Sequence, residues 1–530
     1  MTWLKYKDDL DVPGTSTLVD ANHVLASTAE TKDDIVYIPQ PSDSPDDPLN
    51  WSTGWKVSNY AILIFFVLVA SATSTWKGVL YGQFIVEFGV TFNKLNTGAG
   101  LLFLFLALGC WFTQVIACIF GRRPTYLFFT MVVLLGSVAF AASKTYHGYL
   151  AYCILDGFGI APMDTLVQAS LSDIFFLHQH GRLMAIYTLA LGTGSSWGPI
   201  IAGYMASYTS TWSWINYTII ILMGTILLLE ICFLRESYYD RSSTITSTEG
   251  WDSSTNTSEK VHAKVISEEV TPTGNASFLS KMKFMKPMYQ KNTLFEVGIA
   301  PFRTLRYPAV VWVAVGYGIQ MCWLSLTSLT VSQFFAAPPY LFSTAALGNV
   351  NYAGIVGSVA GPIYVGFSDK YCIWRAKRNN GISEPEFRLD LMWLPLILNT
   401  LGLLLYGLGP AYKLSWVVGV FGIGLINFGI STITACMLTY VMECYPAEVT
   451  QTMSTLLFIR NIIGAIFNWV FQDWLDAMGI KKFTALMAVL CLVFNGFAIV
   501  FVIWGKAFRK FTAKWYTKSL PVSTVSVLPN

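Results

Sequence analysis

Long apolar runs, separated by short polar segments, dominate this 530-residue chain. Each run reaches the roughly 20 residues that an α-helix needs to cross a bilayer. The pattern predicts twelve spans, at 57–76, 96–119, 123–143, 149–176, 182–206, 212–234, 307–337, 347–367, 388–409, 414–442, 447–475 and 483–505. The segment between the sixth and seventh spans is rich in Ser, Thr and acids, and such a composition cannot form a packed core.

The predicted fold is an all-α integral membrane protein, with twelve transmembrane helices in two six-helix bundles. The bundles are expected at 57–234 and 304–508. Cytosolic segments are expected at 1–56, 235–303 and 509–530, and the middle one is expected to be largely disordered.

Composition and charge agree with a membrane protein. Only 12% of the residues are charged, against about 25% in soluble proteins, and the mean hydropathy is +0.51. With both termini in the cytosol, most of the 34 Lys and Arg residues lie on the inner side, as the positive-inside rule requires. Arg460 lies within a span. The outer loops then contain Lys77, Lys94, Lys144, Lys413, Lys481 and Lys482. The plasma membrane is the expected location.

Several classes of function are disfavoured by missing motifs. The chain has no G-x-x-x-x-G-K-[ST] loop and no H-E-x-x-H motif, which disfavours an ATP-driven pump or a zinc hydrolase. Its nine cysteines contain no C-x-x-C pair. We therefore expect neither an enzyme nor a metal site, no cofactor beyond a proton gradient, and no nucleic-acid partner.

Two short cytosolic loops occupy the same place in the two halves. "FGRRPTYL" joins spans two and three, whereas "GPIYVGFSDKY" followed by "RAKRNNGISEPEFRL" joins spans eight and nine. In both, glycine permits a tight turn and basic residues stay in the cytosol. Span five contains "LGTGSSWGPIIAGY", in which small residues allow helices to approach and Pro199 bends the helix.

These motifs, together with "PSDSPDDPLNWS" before span one, resemble the fungal major facilitator superfamily. The similarity is greatest to its drug:proton antiporter-like branch, which includes polyamine and cation carriers and metabolite exporters. The resemblance implies two bundles, a central cavity and alternating access. Export in exchange for protons is favoured because span five resembles the antiporter motif, which related importers also carry, at Gly194, Gly198, Pro199 and Gly203.

The chain departs from the family pattern at two places. Cys118 stands where the inner-loop motif usually has an acid. In span four, Cys153 and then Asp156-Gly157 stand where the family often has Arg and then Gln-Gly. The proton-coupling roles of the family residues therefore cannot be transferred to this chain.

An inner gate is predicted instead from charges near the cytosolic ends of the spans. Arg122 and Arg123 are expected to pair with Asp173, near the inner end of span four. Glu443, in "YVMECYP", is expected to partner nearby basic groups. The other gating candidates are Asp369, Gly198 and Pro199.

Asp156 and Asp164 lie within span four, where a carboxylate costs about 2.5–3.5 kcal/mol at the helix centre. They are expected to face a water-filled cavity or a cationic partner, about 80° apart on one helix. They bind a proton, a cationic group, or each in turn; alternatively, they cap or pair within the bundle. Arg460, inside span eleven, pairs with an acid or binds an anionic substrate group.

Span seven offers polar and aromatic groups. Tyr317, Gln320 and Trp323 suit an amphipathic organic ligand, and interhelical hydrogen bonding is the alternative. Asn427 is a further candidate that equally suits helix packing.

The predicted function is secondary active, proton-coupled transport of a small organic molecule, leaning to efflux of a drug-like compound or metabolite. Uptake of an organic cation such as a polyamine is the alternative, motivated by the acids of span four. A non-transporting membrane receptor on the same fold is a third possibility. The expected partners are the substrate, protons and the bilayer, and the protein is expected to be monomeric.

Overall fold

The computed structural model describes residues 16–17, 47–175, 177–209, 211–237, 294–379 and 382–519. Within them, ten helical runs are long and apolar enough to cross a membrane. The last run, Gln451–Tyr516, is interrupted by a non-helical residue, Gly479 (φ 70°, ψ 160°), and provides two spans. Leu177–Thr209, with 33 residues, reaches about 50 Å at 1.5 Å per residue and supplies a further span. The predicted all-α membrane fold with twelve spans is confirmed.

Eight described helices form the N-terminal bundle. A 3₁₀ turn at Trp76–Leu80 joins the first two in one span. The helices are α1 (Thr53–Thr75), α2 (Tyr81–Phe88), α3 (Phe92–Phe120), α4 (Arg122–Ser143), α5 (Tyr146–Gly159), α6 (Pro162–Ile174), α7 (Leu177–Thr209) and α8 (Ser213–Phe233).

The C-terminal bundle follows α9 (Leu294–Arg303). Its helices are α10 (Pro308–Phe335), α11 (Thr344–Asn349), α12 (Tyr352–Gly366), α13 (Ser368–Arg378), α14 (Trp393–Ala411), α15 (Trp416–Cys444), α16 (Val449–Gly496) and α17 (Ala498–Ser519). Two short strands, β1 (Ser16–Thr17) and β2 (Ile382–Ser383), pair antiparallel. They tie the N-terminal segment to the loop between spans eight and nine.

The fourth span is two helices and not the single helix expected at 149–176. α6 begins at Pro162, which lacks a backbone N–H donor. The amides of Met163 and Asp164 donate to carbonyls three residues earlier, at 3.0 and 3.2 Å, so the chain tightens into a 3₁₀-like turn. Asp156 and Asp164 therefore lie on separate helices, and the angle expected for one helix does not apply.

Two segments predicted to lie outside the bundles are helical. α9 forms the last part of the predicted central loop, 235–303, while residues 238–293 of that loop lie outside the described residues. α17 continues beyond the predicted boundary at 508 because Arg509, which is fully buried, forms two hydrogen bonds to Glu386, at 2.9 and 2.7 Å. The predicted domain boundaries themselves stay predictions.

An even number of spans places both ends of the described helical region on one side, here called proximal; the opposite side is called distal. On the distal side the two bundles contact each other along α3 and α16. Asn93 donates to Asp473 at 2.8 Å, and Asn96 donates to Gln472 at 3.4 Å. These contacts close the distal end of the molecule.

α7 packs against both bundles along its small residues. Pro199 lies inside this helix, and a Cβ atom on Gly198 would lie 2.5 Å from the carbonyl oxygen of Ala72 in α1. The letters GSSWG at 194–198 also match the G-x-S-x-G pattern of hydrolases. Ser196 nevertheless lies within a helix, and not at the strand-to-helix turn which that motif requires.

The substitution Gly198→Leu is expected to lower the thermal stability of the purified protein. Overpacking at a tight contact typically costs about 1–3 kcal/mol, and the neighbouring atom here is backbone that cannot rotate away. Gly224→Leu is the matched control, because a Cβ atom there meets nothing within 4 Å. Equal melting temperatures for the two variants, measured by thermal unfolding in detergent, would show that the α1–α7 contact is not tight.

Candidate functional site

A buried ion pair joins the two bundles. Asp164, in the first turn of α6, is 3% exposed and Arg460, in α16, is 1% exposed. Arg460 Nη2 donates to Asp164 Oδ2. At 1.5 Å per residue, both lie about 15–17 Å from the proximal ends of their helices, which is deep within a hydrocarbon core of about 30 Å.

The guanidinium of Arg460 has further partners on both bundles. Its Nη1 donates to the Tyr317 hydroxyl at 2.6 Å, and its Nε donates to Asn461 Oδ1 at 3.0 Å. It also lies 4.7 Å from the centre of the Tyr317 ring, within cation–π range. Asn461 in turn contacts Cys110 Sγ of α3 at 3.7 Å. The pair is therefore held by a polar network and not by charge alone.

A second buried ion pair lies inside the N-terminal bundle. Lys77 Nζ lies 3.0 Å from Asp156 Oδ2, and the two side chains are 5% and 0% exposed. The placement of Lys77 in an outer loop is wrong, because the first span continues through the turn Trp76–Leu80 into α2. Two signals could have found Lys77: the apolar run "GVLYGQFIVEF" that follows it, and the need of a buried carboxylate for a cation.

The candidates of span seven divide into two groups. Tyr317 joins the Asp164–Arg460 pair. Gln320, fully buried, instead accepts from Asn399 at 2.9 Å and donates to Asn495 at 3.0 Å. Those three residues lie on three helices of the C-terminal bundle, so Gln320 has the geometry of interhelical hydrogen bonding.

Trp323 and Asn427 also lie apart from the pair. Trp323 is 2% exposed and packs edge-on against Phe467 in the same bundle, with ring centres 6.3 Å apart. Asn427 donates to the carbonyl of Ile423 one turn earlier in α15, at 3.0 Å. Their ligand roles stay predictions without a contact that supports them.

The predicted inner gate lies at the proximal ends of α4 and α6. Arg122 Nε lies 2.6 Å from Asp173 Oδ2, so Arg122 is the gate partner. Arg123 donates from Nη2 to the carbonyl of Ile231 at 2.8 Å. The Glu236 carboxylate, which sequence reasoning missed, accepts from the backbone amides of Arg122 and Arg123 at 2.9 and 3.1 Å. It thereby caps the N-terminus of α4.

The second bundle repeats this arrangement. Glu443, at the end of α15, pairs through Oε1 with Arg388 Nε at 2.6 Å, and Arg388 Nη1 donates to Ser368 Oγ at 3.2 Å. Arg388 occupies the loop before the ninth span, as Arg122 occupies the loop before the third. This repeated position was the signal for Arg388. Asp369 is the second residue of α13, and its gating role stays a prediction.

Comparison with known proteins decides the family. The model of the Major Facilitator Superfamily matches residues 60–468. The chain belongs to this superfamily. An uncharacterized MFS-type transporter of Schizosaccharomyces pombe is 32% identical over 97% of this chain and 95% of its own length. Protein HOL1 of Saccharomyces cerevisiae is 28% identical over 96% and 97%.

Solved structures support the fold. The proton:xylose symporter XylE matches 85% of this chain and 97% of its own, with a TM-score of 0.58 and 12% identity. The human organic anion transporter MFSD10 matches 84% and 99%, with a TM-score of 0.55 and 16% identity. The predicted superfamily and its membership among fungal MFS transporters are confirmed, and the protein is a multi-pass membrane transporter by family.

A double-mutant cycle tests the proximal pair. Arg122→Ala and Asp173→Ala are expected to be non-additive in the free energy of unfolding, with a coupling of about 0.5–3 kcal/mol, because both side chains are at most 21% exposed. The pair Arg375–Asp390, at 3.5 Å and with the arginine 42% exposed, is the control and should couple more weakly. Additive effects at Arg122 and Asp173 would remove this pair from the gate.

Proposed function

We propose that the protein is a proton-coupled secondary active transporter that exports a small organic molecule by alternating access. The observation that carries the proposal is the Asp164–Arg460 ion pair, because it joins the two bundles that must move against each other. It lies at the depth where transporters of this architecture bind substrates and coupling ions.

The chemistry of the pair supports coupling to protons. Separating the bundles would leave two buried charges without partners, and breaking a buried pair in this way typically costs about 3–5 kcal/mol. A proton on Asp164 removes the negative charge and the need for this partner. Arginine keeps its own proton in proteins, so the exchangeable proton of the pair is the one on Asp164.

Protonation of Asp164 would also free the Arg460 guanidinium. A free guanidinium beside the Tyr317 hydroxyl and ring suits an amphipathic molecule that carries a hydrogen-bond acceptor or an anionic group. The lean to export is supported by the Gly-Pro pattern of α7, which contacts both bundles.

Uptake of an organic cation is the second candidate. Asp164 and the Tyr317 ring already hold one organic cation, the guanidinium of Arg460, with the ring centre 4.7 Å away. A substrate cation could take this place if Arg460 withdrew. Its accumulation inside cells, as opposed to depletion, distinguishes uptake from export.

We also propose a location in the plasma membrane, with both termini in the cytosol and a monomeric carrier. The charge distribution supports the orientation: once Lys77 is assigned to the bundle interior, fewer basic residues remain on the distal side.

Asp164→Asn is expected to abolish transport driven by a pH gradient, while exchange of substrate down its own gradient persists. The amide cannot bind or release a proton at physiological pH, but it retains an oxygen that can accept from Arg460. Comparative metabolomics of cells and medium, with and without the protein, identifies the compound. Its flux is then measured in proteoliposomes with an imposed pH gradient.

Asp47→Asn provides the control, because it makes the same chemical change outside the spans. Its amide oxygen can still accept from the Leu49 amide, as Asp47 Oδ1 does at 3.0 Å. Unchanged pH dependence and affinity in Asp164→Asn would reject Asp164 as the coupling group. Signalling on ligand addition, without flux under any gradient, would identify a receptor.

A further inference from the structure

The 3₁₀ turn at Trp76–Leu80 touches both bundles. Towards the N-terminal bundle, Lys77 reaches Asp156. Towards the C-terminal bundle, the backbone at Gly78 lies so close to the carbonyl of Ser328 in α10 that a Cβ atom on Gly78 would collide with it. The whole turn is buried. It therefore connects an ionisable pair directly to the contact between the bundles.

The contact at Gly78 belongs to the distal half of the molecule. The turn follows α1, which runs from the proximal side, and leads into α2, whose end is adjacent to Asn93 and the distal contacts of α3. Any displacement of the turn away from α10 would loosen the distal closure. The position of the turn is fixed on its other side by Lys77.

The Asp156 carboxylate depends on Lys77. Asp156 Oδ1 makes no hydrogen bond among the described residues, while Oδ2 holds Lys77 at 3.0 Å. The Tyr152 ring faces the ammonium group at 4.5 Å. The titratable groups that act electrostatically with Asp156 in the described bundle are Lys77, Tyr152 and Cys153. Of these, only Lys77 supplies a positive charge.

We propose that Lys77 and Asp156 form a proton-operated lock on the distal contact between the bundles. With Asp156 ionised, its attraction for Lys77 is strong in the low-dielectric interior and keeps Gly78 seated against Ser328. When Asp156 takes up a proton from water, a carboxylic acid forms and Lys77 keeps its charge, so the attraction is lost and the turn can leave α10.

The sign of the pH response follows from the group that titrates. The lock is engaged at higher pH, where Asp156 is ionised, and is released as pH falls through the titration of Asp156. Lys77 is a positioning residue, because it acts on the bundle contact through the backbone of its turn. The role of the lock in the transport cycle rests on the proposed proton coupling.

Hydrogen exchange of the full-length protein in lipid nanodiscs tests the lock across a pH series. In the wild type, amides of residues 76–88 are expected to exchange faster as pH falls, after correction for the intrinsic rate. In Asp156→Asn this pH response is expected to be lost. Residues 122–143 serve as the internal control, since they lie away from the turn and should respond in neither protein.

Lys77→Arg keeps the test decisive if Asp156→Asn fails to fold. It retains the positive charge, so slow exchange at high pH should persist, while the changed partner should shift the midpoint of the response. A wild type without a pH response, an Asp156→Asn protein with the wild-type response, or an unshifted midpoint in Lys77→Arg would overturn the lock. Absence of proton-driven flux with an intact exchange response would instead reject the proposed function alone.

Discussion

The Asp164–Arg460 ion pair constrains the arrangement of the two bundles more than any other contact described above. Both side chains are almost wholly buried, and each is tolerated at this depth because the other neutralises it. Because one residue belongs to each bundle, the bundles cannot separate around the pair without a change in its charge or its partners. Tyr317 and Asn461 hold the arginine in place, so the constraint is geometric as well as electrostatic.

The remaining polar contacts fall into two kinds around this pair. Arg122–Asp173 and Arg388–Glu443 lie within single bundles, at equivalent proximal positions, and would move with their bundle as rigid units. Asn93–Asp473, on the distal side, joins the bundles as Asp164–Arg460 does and must break for the distal end to open. Alternating access therefore concentrates its energetic cost at a few cross-bundle contacts.

Hydrophobic run length was sufficient to predict the membrane fold, because a span has a minimum length and irregular backbone is not tolerated in lipid. The insertion cost of intramembrane charge was likewise sufficient to single out Asp156, Asp164 and Arg460. Their partners were not predictable, since which residues face one another depends on helix rotation and on the break at Pro162. Lys77 was misplaced because a 3₁₀ turn inside a span reads as the end of that span. Gln320 was chosen by residue type, which does not distinguish a ligand from a hydrogen bond between helices.

The central claim is that the Asp164–Arg460 pair ties the two bundles together. Electron–electron spin resonance between labels at two exposed proximal positions, Val57 in α1 and Phe511 in α17, measures this tie directly. At a pH where carboxylates are ionised, the account predicts one narrow distance distribution for the otherwise unaltered protein. It predicts a broader and longer distribution when Asp164→Asn is added. Identical distributions in the two proteins would contradict it.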